Sequence, residues 1–257
     1  MTIGMKIVSI LCIVAIPFAM MTGLFINQVL KDIHTANEEA AGLRQLQPVW
    51  QAYVGAGSAD RAAGAGLSDI PAASGFSAAI AVGKPRAEVL EAGRLAIQKI
   101  ADTYGLTLDP DLDSYYVGDM VVSRLPLIVS AGADLLRAGG ELAKGGPVSG
   151  GHASDLRFDL AMMRDSVDGL ASDYTTAVGG NKDGSVASGI GPNVERVKVK
   201  FKAVAGAAEP VLKALEAGQP VTAAALEPLL DGRCPQLWST SCSRRAFRAS
   251  KPTRPGS

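Results

Sequence analysis

Twenty consecutive residues without a charge, IVSILCIVAIPFAMMTGLFI from Ile7 to Ile26, constrain this chain more than any other feature of its sequence. Lys6 precedes the run and Lys31 follows it. About 20 apolar residues in a helix match a bilayer core of about 30 Å, so residues 1–31 are expected to form a transmembrane signal anchor. A cleaved signal peptide is the alternative, but its apolar core runs about 7–15 residues and ends at a small-x-small site. Phe18–Met21 offers no such site. Pro17 is compatible with a membrane helix, where neighbouring groups re-satisfy the freed backbone. Lys6 is the only charge before the run, and Lys31 is offset by Asp32. The charge bias is therefore slight, and the simplest topology places a short N-terminus inside and the bulk of the chain outside the membrane.

Beyond the anchor, composition narrows the fold class. The chain is 47% hydrophobic but only 5% aromatic, with 29 glycines. That suits small-residue helices joined by flexible loops, and no strand–Gly-loop–helix pattern suggests a nucleotide fold. Residues 234–257 hold five of the 25 basic residues and no acidic one, which leaves 20 basic against 25 acidic side chains before them. A mildly acidic body argues against nucleic-acid binding. Between Cys12 and Cys234 there is no cysteine, and His34 and His152 lie far apart, so no disulfide framework, metal site, cofactor or catalytic triad is expected.

Helical spacing dominates the body. Ile26, Ile33, Ala36, Ala40, Leu43, Trp50 and Val54 continue the anchor as one helix, reaching about 42 Å past the bilayer at about 1.5 Å per residue. Residues 55–84, rich in Gly, Ala and Ser, read as a long loop with at most a short helical turn. A helix follows from Pro85 to about Tyr104, and another from about Pro110 to Ala138, which Pro126 should kink or deprive of one backbone bond. Leu156, Leu160, Met163, Val167, Leu170, Tyr174 and Val178 give the clearest amphipathic seam. The Gly-rich stretches 139–152 and 179–192 read as loops. VERVKVKFKAV alternates like a strand at 197–202, but the longer stripe Val197, Phe201, Val204, Ala208, Val211, Leu215 predicts a helix. Thr222 is placed as the N-cap of a last helix. The expected fold is all-α: an anchor helix continuing into an up-and-down four-helix-type bundle over 32–230, then a disordered tail over 231–257.

Three acidic residues, Asp109, Asp111 and Asp113, begin with the spacing of a calcium loop. Such a loop needs Gly at its sixth position and Glu at its twelfth, where this chain has Ser114 and Met120. Helix-start electrostatics is the simpler reading: Asp109 as N-cap, Pro110 in the first helical position, and Asp111 and Asp113 in the first turn. Arg124 lies eight residues after Tyr116, with Met120 between, so the three can share a helix face. An Arg among apolar neighbours near Pro126 could clamp a carboxylate ligand, with Tyr115 and Tyr116 beside it. The alternative is an internal salt bridge, for instance to Asp119 or Asp165. Ser, His and Asp are not joined by any nucleophile motif, so no enzymatic activity is expected.

ANEEAAGLRQLQPV (36–49), followed at a distance by LTLDPDLDSYYVGDMVVSRLP (106–126), resembles the periplasmic input regions of bacterial methyl-accepting chemotaxis receptors. Related membrane histidine kinases and diguanylate cyclases carry similar regions. Over about residues 1–230 the resemblance implies a non-enzymatic sensory module, a homodimer that binds a small solute or a periplasmic binding protein. It also implies a second span and a cytoplasmic output region. No later apolar run could span a bilayer, and no kinase-binding hairpin, cyclase motif or phosphoacceptor region follows. The tail CPQLWSTSCSRRAFRASKPTRPGS breaks the hydrophobic pattern and has the composition of an out-of-frame translation, so the chain is expected to be a truncated receptor. The other readings are a natural basic tail on a complete signal-anchored periplasmic scaffold, or the input piece of a kinase or cyclase.

Overall fold

A computed structural model describes residues 3–58, 66–107, 111–144 and 150–230, with the side chains of 3–17, 150, 223 and 228–230 outside the description. All regular structure among the described residues is helical: α1 (Ile3–Gly57), a 3-10 turn (Pro71–Ala73), α2 (Ser74–Val82), α3 (Arg86–Thr103), α4 (Leu112–Asp119), a π-helical segment (Met120–Arg124), α5 (Leu125–Ala143), α6 (Gly150–Gly180), α7 (Ser185–Glu216) and α8 (Ala223–Leu230). The expected tail, 231–257, lies outside the described residues.

The chain divides into two compact units, Met1–Ala41 and Gly42–Ser257. In the first, large apolar side chains stand in the open along α1: Phe18, Met20, Met21, Leu24, Phe25, Ile26, Leu30 and Ile33. Past Ile26 the polar positions pair locally, with Gln28 donating to Asp32 and His34 beside Glu38, each one turn on. Most of the apolar run Ile7–Ile26 lies where side chains are not described. Among the described residues no helix is long and apolar enough to cross a membrane.

In the second unit the buried residues form one cluster. α1 contributes Leu46, Val49, Trp50 and Tyr53, a spacing that keeps one helix face turned inward. Trp50 and Tyr53 meet edge to face at 5.6 Å. α3 adds Leu90, Ile97 and Ile100, and α2 adds Phe76. The seam residues of α6, Leu156 to Leu170, are buried as their spacing predicts, and α6 packs against α5, α7 and α4. α8 packs on α5 and α7. Its Thr222 hydroxyl accepts from Ala225 N–H at 3.4 Å, the capping bond expected of it.

Three stretches depart from the sequence expectation, in the same direction. Residues 71–82, read as part of a loop, form a 3-10 turn and α2, because Ala73, Phe76 and Ala79 reach the core and Pro71 opens the turn. Gly83 then ends α2 with φ 71°, where its N–H meets the carbonyls of Ala79 and Ile80. α5 runs through Gly139 and Gly140 to Ala143, held by Ala138 and Leu142. α7 starts at Ser185 and carries Pro192 and Pro210 inside it. A proline in a helix interior costs about 3 kcal/mol, while burying Val186, Ile190 and Val194 contributes about 1.5–3 kcal/mol each. The helical reading of 197–215 holds, so the apparent alternation there is only the edge of a helical stripe.

Candidate functional site

The segment around Pro126 begins as an ordinary helix and then changes its hydrogen-bond period. The start at Asp109 and Pro110 lies outside the described residues. α4 begins at Leu112 with Asp111 as its N-cap, whose side chain makes no capping bond. Asp113, in the first turn, accepts from the Asn181 side-chain amide at 2.8 Å. Asn181 also takes the Val186 N–H at 3.1 Å, so a single side chain ties the start of α4 to the start of α7. These contacts give the acidic stretch a structural role, and no group of metal-binding side chains occurs among the described residues.

From Met120 to Arg124 the backbone is π-helical, and Leu125 N–H donates to Met120 O, five residues back. The cause is Pro126: its ring has no N–H and would press on the carbonyl four residues earlier in an α-helix. Widening the turn relieves that contact without breaking the helix. Pro126 is fully buried, and its carbonyl accepts from the Tyr53 hydroxyl of α1 at 2.9 Å. The irregularity expected at Pro126 thus takes the form of a local change of winding.

Arg124 closes the π segment and is partnered within the chain. Its Nε lies 3.0 Å from Asp173 Oδ2 of α6 and 3.4 Å from Asp119 Oδ2 of α4. The guanidinium lies across α6 at Gly169, where an added methyl group would come within 2.8 Å of its central carbon. Hydrogen bonding to Asp173 holds the guanidinium proton more firmly than usual. On the carboxylate side, burial pushes Asp173 above the ordinary range, Arg124 pulls it down, and Asp119 pushes it up again. The net direction for Asp173 is upward, since its side chain is only 8% exposed and one guanidinium serves two carboxylates.

Tyr115 and Tyr116 meet each other edge to face at 5.1 Å; Tyr115 is exposed and Tyr116 packs on the core. Of the two readings of Arg124, the geometry displays the internal ion pair, through Asp173 as well as Asp119, while Asp165 acts on it only at longer range. Asp173 was missed as its partner, although Leu170, Asp173 and Ala177 share the inward spacing of α6, and a charge on a buried stripe is a signal. Gly169 carried no signal at all.

Beside the π segment is a small apolar cleft, walled by Val117, Met120, Val121 and Leu125, with Leu170 of α6 and Ile190, Val194 and Val197 of α7 opposite. Its free space of about 20 Å³ is the room of one water molecule. No family model, curated protein or solved structure matches this chain.

Proposed function

We propose that this chain is a membrane-anchored extracytoplasmic sensory input module of the methyl-accepting chemotaxis receptor type. In this reading Ile7–Ile26 spans the bilayer, residues 32–230 form an up-and-down bundle on its outer side, and two copies associate. One observation carries it: Phe18, Met21 and Phe25 are 73%, 72% and 70% exposed on a helix whose apolar run starts at Ile7. A helix apolar all round has no stable surface in water, and a bilayer covers it.

The mechanism is non-enzymatic. A small solute or a periplasmic binding protein shifts one helix against another, and α1 carries the shift. Arg124 and the tyrosines lie on the segment that the Tyr53–Pro126 hydrogen bond joins to α1. A ligand carboxylate would compete with Asp173 and Asp119 for the guanidinium, and its release would free the π segment to rewind.

A second reading, a signal-anchored helical scaffold, draws on the same site. Arg124 already has two carboxylates, and the adjacent cleft is small and lined only by apolar side chains. The outputs of the related kinases and cyclases are equally compatible with such an input region.

Two measurements test the proposal. The chain is expected in the carbonate-resistant membrane fraction, and recovery in the soluble fraction sinks the anchor. In detergent, amino acids, organic acids and aromatic solutes are screened by thermal shift. A ligand at about 100 times its Kd stabilises by about 2.7 kcal/mol, or about 5–10 °C here. A ligand shift abolished by Arg124→Met supports the sensor, while a ligand shift indifferent to it removes Arg124 from the site.

A further inference from the structure

Asp159 of α6 is partly buried, and its Oδ2 is fully enclosed with no hydrogen-bond donor from the chain. A carboxylate oxygen in that position is costly when ionised. The charges acting on it are Asp134 and Arg137 of α5 and Asp155, one turn back on α6. Arg137 is committed elsewhere: its Nη1 lies 3.2 Å from Glu141 and its Nε 3.7 Å from Asp134, with half its side chain in solvent. From α7, Glu216 reaches α6 but is held by Arg157. Further along α6, Asp173 and the α4 residue Asp119 are held by Arg124. Asp134, Glu141 and Asp159 therefore draw on the one guanidinium of Arg137 at the α5–α6 seam, which is among the most extensive helix contacts among the described residues.

We propose that Asp159 makes the α5–α6 seam an acid-sensitive element, closed when its carboxyl is protonated and loosened when it ionises beside Asp134 and Asp155. A protonated carboxyl loses both repulsions and brings an O–H of its own to the enclosed position. Burial first, and then Asp134, hold the group up at about 6, with Arg137 opposing. The folded-state value lies above the unfolded one. The stabilisation is therefore complete below about pH 4, the ordinary aspartate value, and is lost as pH rises through about 6. A displacement of that size corresponds to about 100-fold in protonation; screening at a partly exposed group reduces this to about tenfold in seam opening. The inference stands whether or not the chain is a sensor.

The test is amide hydrogen exchange on the full chain in detergent, at about pH 5 and about pH 7.5, corrected for intrinsic rates. Amides of 134–142 and 155–163 are expected to open about tenfold less often at the acidic pH. Asp159→Asn is expected to give the protected rate at both. An Asp159→Asn variant that keeps the wild-type pH dependence overturns the proposal. Should that variant fail to fold, Asp134→Asn removes one repelling charge and is expected to move the midpoint of the transition to lower pH. An unmoved midpoint overturns it equally.

Discussion

Replacing Arg124 by methionine keeps an unbranched apolar stem and removes the guanidinium and its charge. Asp173 is then left 8% exposed, with Asp119 nearby and no guanidinium between them. Removing one partner of a buried ion pair costs about 3–5 kcal/mol. Here 33% of Arg124 and 27% of Asp119 meet solvent, so water screens part of the loss. About 2 kcal/mol is expected at neutral pH. For a chain of this size that lowers Tm by about 4–8 °C. The sign with pH follows from Asp173, whose carboxyl is already held above its ordinary range and rises further without Arg124. Such a group stabilises the fold while protonated and withdraws that contribution as pH rises through its folded value. The deficit of Arg124→Met is therefore smallest in acid and grows towards neutrality. Adding Asp173→Asn should recover most of it, because the lone charge is gone. Urea melts of the single and double variants at acidic and neutral pH measure all of this. A single-variant loss under about 0.5 kcal/mol, or a loss that is the same at both pH values, would refute the view that this pair holds the π segment against α6.

The remaining expectations concern the contacts that frame the segment. Tyr53→Phe removes the side-chain donor to the Pro126 carbonyl and should cost about 0.5–1.5 kcal/mol by chemical melts; an unchanged midpoint would mean the bond contributes nothing. Gly118→Ala and Gly169→Ala should differ sharply in Tm. At Gly118 a methyl group would sit 2.6 Å from the Leu106 backbone carbonyl, which cannot step aside, and overpacking of about 1–3 kcal/mol is expected. At Gly169 it meets the end of a flexible arginine, which shifts while keeping its carboxylate partners, so the gain in helix propensity of about 1 kcal/mol offsets most of the cost. Equal effects at the two sites would contradict the geometry.

Apolar spacing made the helices readable. The stripe from Leu156 to Leu170 is buried as written, with Tyr174 and Val178 half-buried against the same core, and Val197, Val204, Ala208, Val211 and Leu215 line the inner side of α7. Composition misled where it was used alone. Gly139-Gly140 and the Gly- and Pro-rich stretch before Asn193 looked like breaks, but local propensity yields when flanking Leu142, Val186 and Ile190 are drawn into a core. Of the helix start at 109–113, the described part has Asp111 at the cap of α4, and the side-chain contact is Asp113 with Asn181. Arg124 was legible as an unusual charge, yet its main partner lies 49 residues away, and a single sequence does not reveal which helix faces it. The π winding was hidden in a proline that signalled only an irregularity.

The winding at Met120–Arg124 also sets how the segment tolerates change in length. A π turn holds one residue more than the α turn it replaces, and each residue in an α-helix advances the side chains by about 100°. The segment thus takes up one residue more than an α turn would, without interrupting the helix that runs from α4 into α5. Losing a single residue there would restore ordinary winding and leave the two flanking helices whole. The same loss in the middle of α6 would turn half of its seam away from the core. The residue count between Asp119 and Leu125 is where this chain has slack, and Arg124 stands at the end of it.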